Sequence, residues 1–139
     1  MTQKSLVNAP QLSSVYATGA GQACGGNQII PFTTEMLDTK SEYSAGGVFT
    51  ALHAGIYLFD AGVRTDSGTP SYSIYLRKNS TNLMRSLVSQ VGVMSHMHGT
   101  FSLAIGDTLD FYLEYSSGPT NLTSSTDLNY IRIQQVSFS

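Results

Sequence analysis

Between Tyr43 and Asp60 the chain reads YSAGGVFTALHAGIYLFD. Two short apolar runs, 48–52 and 56–59, are joined by the link His53-Ala54-Gly55. In an extended strand, successive side chains leave on opposite faces. The second run therefore puts Tyr57 and Phe59 on one face and Ile56 and Leu58 on the other. Two aromatics two positions apart, with aliphatics between them, suit a strand covered on both faces. One cover is the core of the domain. The other is expected to be a neighbouring subunit.

The same punctuation runs through the whole chain. Runs rich in Val, Ile, Tyr, Phe and Thr occur at 15–18, 29–33, 48–52, 56–63, 72–77, 83–91, 96–104, 109–115 and 130–138. Gly, Pro, Asn, Asp and Ser separate them, which predicts an antiparallel all-β sandwich or barrel without a helix. Asp66-Ser67-Gly68-Thr69-Pro70 and Ile105-Gly106-Asp107 read as turns, and 116–127 as a polar loop. Run 109–115 alternates cleanly, with Leu109, Phe111, Leu113 and Tyr115 opposing Asp110, Tyr112 and Glu114. Run 130–138 is mixed on both faces, as expected where one face meets the core and the other a partner. Residues 1–14 lack any period and read as an arm or linker, leaving 15–139 as one domain.

Several function classes are disfavoured. The net charge is −2 and Arg77-Lys78 is the one basic pair, so no nucleic-acid partner is expected. No stretch approaches the roughly 20 apolar residues of a membrane span, and the N-terminus lacks an apolar signal core. One cysteine, Cys24, cannot staple the fold within a chain. Charged residues make up 12% of the chain, about half the usual share. A surface poor in charge suits a protein largely covered by partners. Gly19-Ala20-Gly21 with Gly25-Gly26 lacks the Lys-Ser/Thr of a phosphate loop, and no Gly-x-Ser-x-Gly elbow is present, so no enzyme is expected. Asp107 and Asp110 flank a turn without the six to eight oxygens that calcium takes, and read as structural. Tyr72, Tyr75, Tyr112 and Tyr115 suit packing, or else a sugar-binding platform. Asn79-Ser80-Thr81 and Asn121-Leu122-Thr123 match the glycosylation pattern, which matters only in a eukaryotic secreted protein.

Three blocks stand in order along about residues 29 to 115. They are Ile30-Pro31-Phe32 with Asp38 and Tyr43; Gly47-Val48-Phe49-Thr50-Ala51 with Gly55-Ile56-Tyr57-Leu58-Phe59; and Phe101 to Leu109 through Gly106-Asp107. Tyr75-Leu76-Arg77-Lys78-Asn79 adds a fourth. Together they resemble the C1q-like domain of the complement C1q/tumour necrosis factor superfamily, bacterial and phage type. The family often has proline before Gly55 and glycine at the position of Ser80, and the last strand differs. The resemblance implies an all-β, ten-stranded antiparallel jelly-roll sandwich that forms a homotrimer. It places Tyr57, Phe59, His96, His98 and Phe101 in the trimer interface. His96 and His98, two residues apart on one strand face, would gather around a threefold axis. There they would pack without metal, or hold a metal or anion. Clustered imidazoles would also repel below about pH 6. No cofactor is expected otherwise.

The partner-binding residues are expected in the arm and loops: Leu6, Val7, Pro10, Leu12, Asp66 and Asn121. The expected function is a trimeric virion protein, a capsid decoration (cement) protein that contacts major capsid protein or a fibre shaft. The alternatives are a receptor- or glycan-binding head of a phage fibre or bacterial surface protein, and a secreted C1q-like recognition protein. The corresponding locations are the virion, or the extracellular space and cell surface.

Overall fold

The computed structural model describes residues 11–20, 23–24, 27–67, 72–88, 92–115, 120–122 and 128–139. The described residues form twelve strands: β1 (Ser14–Thr18), β2 (Ala23–Cys24), β3 (Gln28–Ile29), β4 (Thr34–Asp38), β5 (Val48–Thr50), β6 (Gly55–Ser67), β7 (Tyr72–Lys78), β8 (Thr81–Val88), β9 (Met94–Leu103), β10 (Thr108–Tyr115), β11 (Thr120–Leu122) and β12 (Tyr130–Phe138). Ten of them have three residues or more, matching the expected ten-stranded jelly roll; β2 and β3 are two-residue additions. Among the described residues there is no helix.

The strands make two antiparallel sheets. In the seven-stranded sheet, β4, β1, β12, β6 and β9 lie side by side, and β11 and β2 continue along the far end of β6. In the five-stranded sheet, β10 is flanked by β7 and β8 on one side and by β3 and β5 on the other. Alternation decides which residues enter the sandwich. Val15 and Ala17 of β1, Tyr57, Phe59, Ala61 and Val63 of β6, and Ile131 and Ile133 of β12 are buried between the sheets. Leu109, Phe111 and Leu113 of β10 meet them from the opposite side, as their clean alternation predicts. Aromatic edges knit the core: Phe49 to Tyr57 at 5.6 Å between centroids, Phe59 to Phe111 at 5.9 Å, Phe32 to Phe111 at 6.3 Å.

This packing corrects two interface expectations, those for Tyr57 and Phe59. Tyr57 and Phe59 have no exposed surface in a single chain. Their face of β6 belongs to the sandwich, and Tyr57 also donates its hydroxyl to the His53 carbonyl at 2.7 Å. Phe101 is half-buried: it packs against the core over Gly99, where a Cβ would come within 2.9 Å of its ring, and keeps part of its surface exposed on β9. The face of β6 available to a neighbour is the opposite one, carrying Ile56 and Leu58.

Two strand assignments also differ from the pattern reading. β4 lies at Thr34–Asp38, beyond the apolar run 29–33, because pairing with β1 holds a polar segment extended. β11 forms inside the segment read as a loop, through pairing with β6 and β2. The residues of the first matching block act as loop closers. Asp38 accepts backbone N–H bonds from Lys40, Glu42 and Tyr43, and the Tyr43 hydroxyl bridges the N–H and carbonyl of Phe32.

At the end of the sandwich that carries the 104–107 turn, that turn is tied to the β7–β8 turn. Asp107 accepts from Asn79 Nδ2 at 2.8 Å, from the Ala104 N–H at 2.9 Å, and from Lys78 Nζ at 2.9 Å. Asn79, then Ala104 and Lys78, hold the Asp107 carboxyl down at about 2. The β7–β8 hairpin turns on Asn79 (φ 50) and Ser80 (φ 65). Two successive positive-φ residues are what a two-residue type I′ hairpin requires. Ser80 therefore occupies, at some strain, a place that glycine fills freely.

Candidate functional site: the outward face of the seven-stranded sheet

Pairing register assembles this face from residues far apart in sequence. One row crosses four strands: Tyr16 beside Arg132, Arg132 beside Asp60, and Asp60 beside His98, with Leu37 of β4 beyond Tyr16. The next row holds Thr18, Tyr130, Gly62 and His96. A third holds Ser14, Gln134, Leu58 and Thr100.

The side chains in these rows interlock. The Arg132 guanidinium lies 4.6 Å from the Tyr16 ring and 5.4 Å from the Tyr130 ring. Asp60 Oδ1 stands 2.5 Å from His96 Nε2 and accepts from the Tyr130 hydroxyl at 3.4 Å. Burial, followed by the Asp60 carboxylate, raises the Tyr130 phenol above its ordinary value. The rings of His96 and His98 are 5.6 Å apart. A Cβ at Gly62 would collide with Met94 Cε and the Tyr130 ring, so the glycine lets these two side chains close over the strand. Leu58, Asp60, Arg132 and Gln134 line a shallow depression of about 180 Å³.

The face is also greasy. Leu58 is 41% exposed, Leu37 46% and Met94 37%, interleaved with the polar ladder. Apolar side chains concentrated around a few ordered polar ones are the make-up of a protein–protein contact.

The remaining candidates resolve differently. His96 and His98 do share the outward face, as their spacing predicts, but His96 is engaged by Asp60. Among the described residues, no group of three or more His, Cys, Asp or Glu is arranged to hold a metal. Asp110 receives the fork of Arg77 at 2.7 and 2.9 Å and is thus structural. The four tyrosines do not form one platform. Tyr72 is buried, and the Tyr115 side chain lies outside the described set. The guanidinium of Arg77 covers the Tyr112 ring at 3.9 Å, and that of Arg85 stands over Tyr75 at 5.7 Å. Both rings pack against cations. Asn79 spends its amide on Asp107 and on the Thr108 N–H. Leu12 is 38% exposed where the chain enters β1, next to Ser13, which is bonded to Gln135. Leu6, Val7 and Pro10 lie outside the described residues, as do the side chains of Asp66 and Asn121.

Tyr16, Asp60, Tyr130 and Arg132 were not singled out from sequence. Their phases along each strand were readable, but the pairing of β1 with β12 and β12 with β6 was not. Only that pairing brings four scattered residues together in two adjoining rows.

No family model and no curated protein matches this sequence. Solved structures do match in shape. Murine APRIL at pH 5.0 superposes with a TM-score of 0.73 at 15% identity, covering 91% of this chain and 100% of that one. Eiger TNF from S. frugiperda gives 0.71 at 10% identity, covering 94% and 96%. The globular domain of zebrafish complement 1qA gives 0.66 at 16% identity, covering 94% and 100%. At these identities the likeness is one of fold, and it agrees with the strand order and core described above. This chain is a two-sheet jelly roll of the kind shared by tumour necrosis factor and complement C1q domains.

Proposed function

We propose that the chain is a non-enzymatic assembly protein that forms a homotrimer through the outward face of its seven-stranded sheet. Within that class we assign it to a virion, as a capsid decoration protein. The observation that carries the assembly reading is the face itself. Leu37, Leu58 and Met94 remain exposed around an ordered ladder of Tyr16, Arg132, Asp60 and His98. Trimerisation is the habit that the C1q-like resemblance implies. A threefold ring closes when one surface of each copy meets a different surface of the next. His96 and His98 belong to this face, and Tyr57, Phe59 and Phe101 support it from beneath.

The capsid reading rests on sequence: low charge, no basic face, and the arm of residues 1–14 with its apolar Leu6, Val7 and Leu12. The test is co-sedimentation of the purified protein with phage capsids lacking it, using full chain and a variant without residues 2–11, which keeps Ser13 on Gln135 and Ser14 in β1. Binding by the full chain and its loss on deletion support decoration. Binding to whole cells or glycans without capsid binding would instead establish a receptor-binding fibre head.

A further inference from the structure

The charges on the proposed assembly face imply a control on it; this inference rests on the trimeric reading above. His96 and His98 sit side by side on β9, and their neighbours on the strands that share this outward face can be named; β8 meets β9 at Met84, beside Gly99. From β6 they meet Asp60, with Arg64 one row further, opposite Met94. From β12 they meet Tyr130 and Arg132, and beyond it Tyr16 of β1. β4 contributes Leu37 and Thr34 to the ends of these two rows. Among the described residues, Asp60 is the one carboxylate in either row. Asp38, further along β4, is occupied by backbone amides.

With neutral imidazoles, Asp60 offsets Arg132 and the patch is close to electroneutral. Once both imidazoles are protonated, one carboxylate faces three cations. In a single chain this costs little, because the His96 side chain is 46% exposed and Asp60 31%, so water screens them. Under a neighbouring copy the same charges lose their water, and the two cations in excess of Asp60 are then strongly unfavourable. Histidine changes charge between pH 5 and 8.

We propose that the Asp60–His96–His98 cluster makes assembly pH-dependent, with copies associated near neutral pH and separated below about pH 6. The device differs from a metal site. It needs no ligand, and its sensor is the surplus of imidazoles over carboxylates. For each proton taken up on separation, association weakens roughly tenfold per pH unit.

The test is sedimentation velocity of the full chain at pH 7.5 and 5.0, with circular dichroism at both. Trimer at pH 7.5 and folded monomer at pH 5.0 are expected. His98→Gln, which leaves the Asp60–His96 contact in place, moves the midpoint to lower pH. The double variant H96Q/H98Q stays trimeric at pH 5.0. His53→Gln dissociates like the parent, because His53 meets Phe138 edge to face, away from the cluster. A trimer at both pH values overturns the switch and leaves the assembly reading standing. Monomer at both overturns the assembly reading and the switch together. Dissociation that persists in the double variant, an unmoved midpoint in His98→Gln, or unfolding in place of dissociation also overturns it.

Discussion

Leu58 and Phe59 are adjacent in sequence and opposite in role, which makes them a sharp paired test. Phe59 is fully buried in the single chain, whereas Leu58 is 41% exposed at the centre of the outward face. Burying a whole leucine side chain contributes about 1.5–3 kcal/mol. The exposed fraction of Leu58 leaves about 1 kcal/mol per copy to be gained on association. Leu58→Ala should therefore weaken the trimer several-fold and leave the fold nearly unchanged. Leu58→Asp should do much more, since it places a second carboxylate in the depression beside Asp60 and would bury it there unpaired, at a cost of about 3 kcal/mol or more. As a surface substitution in the monomer, it should shift folding stability by about 0.5 kcal/mol or less. Phe59→Ala should behave in reverse, costing about 3–5 kcal/mol of folding stability. Sedimentation velocity reads association, and urea unfolding of the dissociated chain reads stability. A trimer that survives Leu58→Asp would refute the assignment of this face. So would a Phe59→Ala variant that dissociates without losing folding stability.

Three further outcomes follow from local geometry. Ser80→Gly relieves a left-handed residue in the β7–β8 turn and should stabilise the chain by about 1 kcal/mol, read as a higher unfolding temperature. Asp107 has its carboxyl held at about 2, so its contribution is present above the ordinary aspartate range and is lost as pH falls from about 4 through 2. Asp107→Asn should lower stability at neutral pH and flatten that acid-side loss in a pH series of urea midpoints. Cys24 is buried and its thiol is pushed up to about 11, so it should resist alkylation at pH 8 in the native chain and react at once in denaturant.

The fold was largely legible because its signals are local. Alternation in Leu109–Tyr115 gave a strand with the correct inward face, and Gly106-Asp107 marked the turn that Asp107 then ties to Asn79. Segments whose conformation is set by a partner were not legible. Thr34–Asp38 and Thr120–Leu122 lack a strong apolar period and are extended because β1, β6 and β2 pair with them. The assembly face was half legible. The spacing of His96 and His98 put both on one surface. The aromatics at 57 and 59 were assigned to that surface although their phase sends them inward. In a strand covered on both sides, large apolar residues on the two faces look alike, and aromatic bulk went to the core. Arg132 and Asp60 became visible only with the register of β12 on β6.

Sedimentation equilibrium of the unmodified chain at pH 7.5 tests the central claim most directly. The account predicts a species of three chain masses that dissociates on dilution and is lost in Leu58→Asp. A folded monomer at every concentration would contradict it.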